Sequence, residues 1–108
     1  MDVASASALL DRFPDARIAV VGDFFLDKYL VVDPSIEETS IETGLAAHQI
    51  VGKRLAPGAA GTVTSNLATL GVGAIHAVGI VGRDGEGFEL QEGLRARGVT
   101  TDLLVESL

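Results

Sequence analysis

Apolar residues along this chain fall in short blocks punctuated by glycine, proline and aspartate, and the period within the blocks changes from one to the next. Positions 4–12 carry small and apolar residues at helical spacing. Phe13-Pro14-Asp15 ends that helix, because proline disfavours the helical conformation in the residue before it. Ile18-Ala19-Val20-Val21 is apolar at every position between Arg17 and Gly22, which predicts a central parallel strand covered on both faces. Tyr29-Leu30-Val31-Val32 predicts a further strand and Asp33-Pro34-Ser35 a turn. From Ala47 to Leu55 no clean period survives, and irregular strands projecting from the main sheet are expected.

The second half alternates more regularly. Val63, Leu67 and Leu70 stand at i, i+4 and i+7, and Gly71 follows where a left-handed helix cap belongs, so a short amphipathic helix spans 61–70. Ala74-Ile75-His76-Ala77-Val78 predicts a second core strand. Asp84 is the expected N-cap of a helix running to about Arg97, Gly98-Val99 closes it, and residues 102–106 supply a third strand. Strands alternating with helices imply right-handed crossovers and an α/β fold with a mostly parallel sheet flanked by helices.

Composition narrows the classes. The chain of 108 residues is one folding unit or a piece of one; 47% of it is hydrophobic, so a disordered tail is excluded, and no apolar run approaches the ~20 residues that span a bilayer. Its formal net charge is −7 and its basic residues are scattered, which argues against nucleic acid as a partner. Without cysteine there are no disulfides, thiolate nucleophiles or zinc–thiolate sites. Residues 1–7 lack the basic and apolar regions of a secretory signal, so a cytoplasmic location is expected.

Two places could carry chemistry. Asp23 and Asp27 follow the first strand, where open α/β sheets place their ligands, although a lone strand-end aspartate as often caps a turn. Pro57-Gly58-Ala59-Ala60-Gly61 opens a helix with backbone able to approach a ligand closely, although an isolated Gly-x-x-Gly is also ordinary helix-entry packing. His48 and His76 have no partner at metal-ligand spacing and are expected to be structural. Glu37, Glu38 and Glu42 form a solvated acidic loop, and no metal site is expected. Neither a dinucleotide fingerprint nor a phosphate loop ending in Gly-Lys-Ser/Thr occurs.

Taken in order, Gly22-Asp23-x-x-x-Asp27, the stretch from Pro57 through Asn66, Ala68 and Leu70 to Gly71, and Gly79-x-x-Gly82-x-Asp84-x-x-Gly87 resemble the PfkB/ribokinase family of carbohydrate kinases, in its heptose-kinase-like branch. The resemblance implies a ribokinase-like fold in which 29–55 is a small β lid that closes over the sugar and often forms a homodimer contact. It implies that Asp27 hydrogen-bonds sugar hydroxyls, that Gly58, Ala59 and Asn66 position a sugar or sugar-phosphate substrate, and that Asp23 matches an acidic position of the heptose-kinase-like branch. Two positions depart from the pattern: Ala59 stands where a second glycine is usual, and Thr62 where an asparagine is common. The implied activity is transfer of the ATP γ-phosphate to a sugar hydroxyl with Mg²⁺, using an aspartate base in a Gly-Ala-Gly-Asp motif that these 108 residues do not contain. The expectation is therefore that 1–108 is the amino-terminal, sugar-binding portion of such a kinase, inactive by itself and prone to self-association. The alternative is a non-catalytic sugar-binding or assembly module of the same fold.

Overall fold

The computed structural model describes residues 1–36, 38–39, 44–47 and 50–108. Its centre is a three-stranded parallel sheet formed by β1 (Arg17–Val21), β6 (Ala74–Gly82) and β7 (Val99–Ser107), in the order β1-β6-β7. Helices α2 (Ala60–Thr69) and α3 (Gly85–Ala96) cover one face of it. Between β1 and α2 the chain makes a long antiparallel hairpin of β2 (Phe24–Val32) and β5 (Ile50–Ala59). A short pair, β3 (Glu38–Thr39) and β4 (Ala46–Ala47), lies within that excursion, after a 3₁₀ turn at Pro34–Ile36. An amino-terminal helix α1 (Val3–Leu10) and a 3₁₀ turn at Phe13–Asp15 precede β1. This is the α/β arrangement around a parallel sheet expected from the alternation of elements.

The caps follow the expected chemistry. Asp84 accepts the Gly87 N–H at 2.7 Å and starts α3, while Asp2 accepts the Ser5 N–H at 2.8 Å and starts α1. Gly71 at φ 91° and Gly98 at φ 80° turn the chain out of α2 and α3 in the left-handed region.

Ile75, Ala77 and Val81 of β6 pack with Leu90 and Leu94 of α3, Val99 and Leu104 of β7, and Phe24 of β2. Phe24 is the hairpin's root in this core. Burying such a ring stabilises the fold by about 1.5–3 kcal/mol relative to leaving it in water. The buried polar residues Thr64, Gln91 and Thr101 are paired: Thr64 donates to the Gly61 carbonyl at 2.8 Å, Gln91 Nε2 to Glu106 at 3.1 Å, and Thr101 accepts from Arg95 Nε at 2.9 Å.

Several boundaries differ from the sequence expectation. β1 is an edge strand, and only Ile18 and Val20 turn toward the helices. Val21 is 76% exposed, so the predicted coverage on both faces is not met by these 108 residues. The open face continues through Ile80, Leu103 and Val105, and α1 buries no residue. Residues 50–55 are not irregular, since β5 runs unbroken from Ile50 to Ala59 and its pairing with β2 shifts only between Val31 and Val32. β2 likewise starts at Phe24, and β6 and β7 each extend beyond the predicted strands.

The hairpin and the open face give an elongated molecule of 64 × 36 × 19 Å with a radius of gyration of 19.3 Å. A compact chain of this size would measure about 13 Å. Glu37, Glu42 and His48 lie outside the described residues, as does part of the 29–55 segment.

Candidate functional site

The junction of β1, β2, β5 and α2 brings the two sequence motifs together through their backbones. Gly22 donates its N–H to the Val78 carbonyl at 3.2 Å, and Ala60, the first residue of α2, donates to the Asp23 carbonyl at 2.9 Å. The strand-end motif and the glycine-rich motif are therefore tied at one corner of the fold. Asp23 contributes this carbonyl, and its carboxylate is exposed.

Asp27, expected at the carboxyl end of the first strand, lies inside β2. Side chains alternate across a strand, and directly paired residues share a face. Phe24, Leu26 and Lys28 turn toward α3, and Lys28 lies 3.9 Å from both Glu86 and Glu89. The opposite face therefore carries Phe25 paired with Gly58, Asp27 with Ala56, Tyr29 with Arg54, and Val31 with Gly52. Asp27 is half-buried there, and among the described residues its carboxylate has no hydrogen bond or ion pair. Gly58 forms the floor of this spot: any Cβ on it would overlap the Phe25 ring and stand 2.6 Å from Asp27 Oδ2.

The predicted helix-opening turn is a direct passage from strand to helix, since Pro57–Ala59 belongs to β5 and α2 begins at Ala60. The reversal is concentrated at Ala59, with φ 50° and ψ −117°, the one non-glycine residue at positive φ among the described residues. Thr62 turns its hydroxyl back to the Pro57 carbonyl at 3.3 Å. Asn66 is exposed two turns along α2, about 10 Å from Ala59 down the axis. The structure thus places Asp27 against Gly58, Ala59 and Asp23 at the adjoining corner, and Asn66 apart from them.

Sequence reasoning did not single out Phe25, Tyr29 or Arg54. All three are exposed on the Asp27 face, and the Arg54 guanidinium lies 5.0 Å from the centre of the Tyr29 ring. The signal was the alternation Phe25, Asp27, Tyr29, Val31, which places an acid among aromatic and aliphatic residues on one side of a strand. A cleft of about 190 Å³ is lined by Phe24, Phe25, Leu26, Asp84, Gly87 and Leu90 among others, and Asp23, Asp27, Gly58, Ala59 and Asn66 do not line it. Among the described residues no three His, Asp or Glu side chains converge to hold a metal ion, and no helix is long and apolar enough to cross a membrane. His76 sits half-buried on β6.

No family model matches the chain. Among curated proteins it is 34% identical over 104 residues to a bifunctional protein HldE of Pelobacter propionicus, covering 96% of this chain and 21% of that protein. It is 30% identical over 97 residues to a D-beta-D-heptose 7-phosphate kinase of Bordetella bronchiseptica, covering 90% of this chain and 30% of the relative. The chain thus spans between about a fifth and a third of these relatives' length. Among solved structures, a fructokinase from Xylella fastidiosa superposes with a TM-score of 0.56 at 26% identity, over 83% of this chain and 24% of that one. A PfkB protein from Polaromonas shares the fold with a TM-score of 0.56 at 22% identity, over 84% of this chain and 27% of its own. Sequence relatives and fold therefore agree with the motifs: over most of its length the chain is similar to the carbohydrate kinases of the PfkB/ribokinase type, heptose kinases included.

Proposed function

We propose that this chain is the sugar-binding portion of an ATP-dependent carbohydrate kinase that transfers the γ-phosphate to a hydroxyl of a phosphorylated sugar. The observation that carries the reading is the partner-free Asp27 carboxylate standing over Gly58. A carboxylate with both oxygens unengaged accepts hydrogen bonds from two adjacent hydroxyls, and the missing Cβ on Gly58 lets that carboxylate and the Phe25 ring lie close against the strand. Phe25 and Tyr29 supply apolar ring faces beside it. The relative named as a heptose 7-phosphate kinase supports a sugar phosphate as the substrate class, and a Xylella fastidiosa fructokinase solved with bound ATP, 26% identical to this chain, supports ATP as the donor.

In this reading Asp27, Gly58 and Ala59 bind and orient the sugar, Asp23 holds the corner through its carbonyl, and Asn66 has a peripheral role. The β2–β5 hairpin acts as the lid within 29–55, and a homodimer contact through it is part of the proposal. ATP and Mg²⁺ belong to the kinase reading as a whole, and among the described residues no three His, Asp or Glu side chains are gathered around a metal position. The contribution of the described residues is orientation: holding a hydroxyl within reach of the transferred phosphate removes an entropic part of the barrier.

The test is Asp27→Asn in the protein as the cell makes it, assayed for ADP formation with a heptose 7-phosphate. The expected result is a large rise in KM for the sugar with KM for ATP unchanged. Sugar binding without any sugar-dependent ADP formation in the wild type would favour the non-catalytic module instead.

A further inference from the structure

Among the described residues, the open face of the hairpin carries one cation, Arg54, that makes no ion pair with a carboxylate. Lys28 and Lys53 belong to the other face and meet Glu89 at 3.9 and 3.8 Å. Arg54 pairs with Tyr29 across the strands and rests over its ring, with no ion pair among the described residues, in a chain of net charge −7. Stacking fixes the plane of a guanidinium while leaving its in-plane N–H groups free to donate in a fork. That fork matches two oxygens of a phosphate.

Its place on the face sets what the phosphate is attached to. Arg54 is the diagonal cross-strand neighbour of Asp27, because Asp27 pairs with Ala56 two residues away. Such neighbours are about 7–8 Å apart. About five bonds of ~1.5 Å separate a ring hydroxyl of a monosaccharide from a phosphate on its exocyclic carbon, so one molecule reaches both groups. Tyr29 shares this face with both, directly opposite Arg54 and two residues along β2 from Asp27, and is half exposed.

We propose that Arg54, held by Tyr29, is an anion subsite that takes the phosphate of a phosphorylated sugar whose hydroxyls are bound at Asp27. The proposal rests on the kinase reading for the sugar, and it adds the residue that separates phosphorylated from neutral sugars. The competing source of the same chemistry is the phosphate chain of the nucleotide.

The experiment is calorimetric titration of the protein as the cell makes it with heptose 7-phosphate, with the unphosphorylated heptose and with ATP, for wild type, Arg54→Gln, Arg54→Lys and Tyr29→Leu. The wild type is expected to prefer the phosphorylated sugar by about tenfold to a hundredfold. Arg54→Gln erases that preference and leaves affinity for the neutral sugar and for ATP unchanged. Arg54→Lys and Tyr29→Leu keep part of it. A wild type without the preference overturns the subsite, as does a preference that survives Arg54→Gln, or a loss confined to ATP. Thermal unfolding midpoints identify any variant that fails to fold, and Arg54→Lys then decides the matter. Because the readout is binding, a failure of the kinase reading shows separately, as wild-type protein that binds the sugar phosphate but forms no ADP.

Discussion

The Asp27 carboxylate rests directly on Gly58, with Oδ2 2.6 Å from where a Cβ of that glycine would stand. The absent side chain is what lets the acid and the Phe25 ring close over the strand. Gly58→Ala forces both aside, and overpacking of this kind costs about 1–3 kcal/mol. The expected outcome is a lower unfolding midpoint together with weaker sugar binding. A variant that kept wild-type sugar affinity would show that the Asp27–Gly58 contact does not define the site.

Ala59 stands beside it in a conformation that glycine adopts freely and alanine does not. Backbone strain at such φ/ψ values costs about 1–3 kcal/mol, partly offset by the extra freedom glycine has when unfolded. Ala59→Gly should therefore stabilise the protein by roughly 1 kcal/mol, readable as a higher urea midpoint at unchanged m-value. Sugar binding should be kept or strengthened, because the substitution clears space at the β5–α2 joint. Destabilisation would mean that strain is not what this alanine contributes.

The sequence exposed the caps and the α/β alternation because these depend on local chemistry: Asp84 before its helix, Gly71 and Gly98 after theirs. It misplaced Asp27 for an equally local reason. The strand expected from Tyr29 begins already at Phe24, with no breaker between them, so Asp27 lies within it. The long pairing of β2 with β5 is a contact between distant segments, and Lys53, Arg54 and Ala56 show no period strong enough to announce it. Arg54 became visible as part of the site only when register set it opposite Tyr29. The two-sided apolarity of Ile18–Val21 points to a strand covered on both faces, but among the described residues only one side is covered.

Glu89 anchors the hairpin to α3 by meeting Lys28 at 3.9 Å and Lys53 at 3.8 Å, while its Oε2 has no hydrogen bond. These distances are long and the lysines are partly to well exposed, so the pairs are worth less than about 1 kcal/mol in total stability. Their effect is expected on hairpin motion instead. Amide exchange in β2 and β5 should quicken with added salt in the wild type, and Glu89→Gln should exchange quickly at all salt levels. Equal salt dependence in both proteins would remove the latch from the account.

The Ser5 backbone N–H, donated to Asp2, holds that carboxyl below its ordinary value of 3.8. A depressed folded value means that the cap supports α1 fully above the unfolded value and is lost as pH falls through the lower folded one. A carbon-detected titration of Asp2 should therefore show a midpoint under 3.8, with Ser5 amide exchange rising over the same interval. An Asp2 midpoint at or above the ordinary value would mean that α1 does not keep this cap in solution.

The open face of the sheet has a consequence for the 108-residue chain prepared alone. Its accessible surface is 7399 Å², against about 5,700 Å² expected for a compact protein of its mass. Part of the difference is apolar: Val21 is 76% exposed, Ile80 68% and Val105 63%, all on the face away from α2 and α3. β1 and β7 also leave unpaired strand edges at the two sides of that sheet. Exposed apolar faces and open edges both drive association. Light scattering on the purified chain should then report oligomers whose mass rises with concentration. Placing lysines at Ile80 and Val105 should lower that mass without lowering the unfolding midpoint, since neither side chain contributes to the core around Leu94. A wild-type chain that stays monomeric at high concentration would show that burial on the helix side alone suffices to keep this sheet in solution.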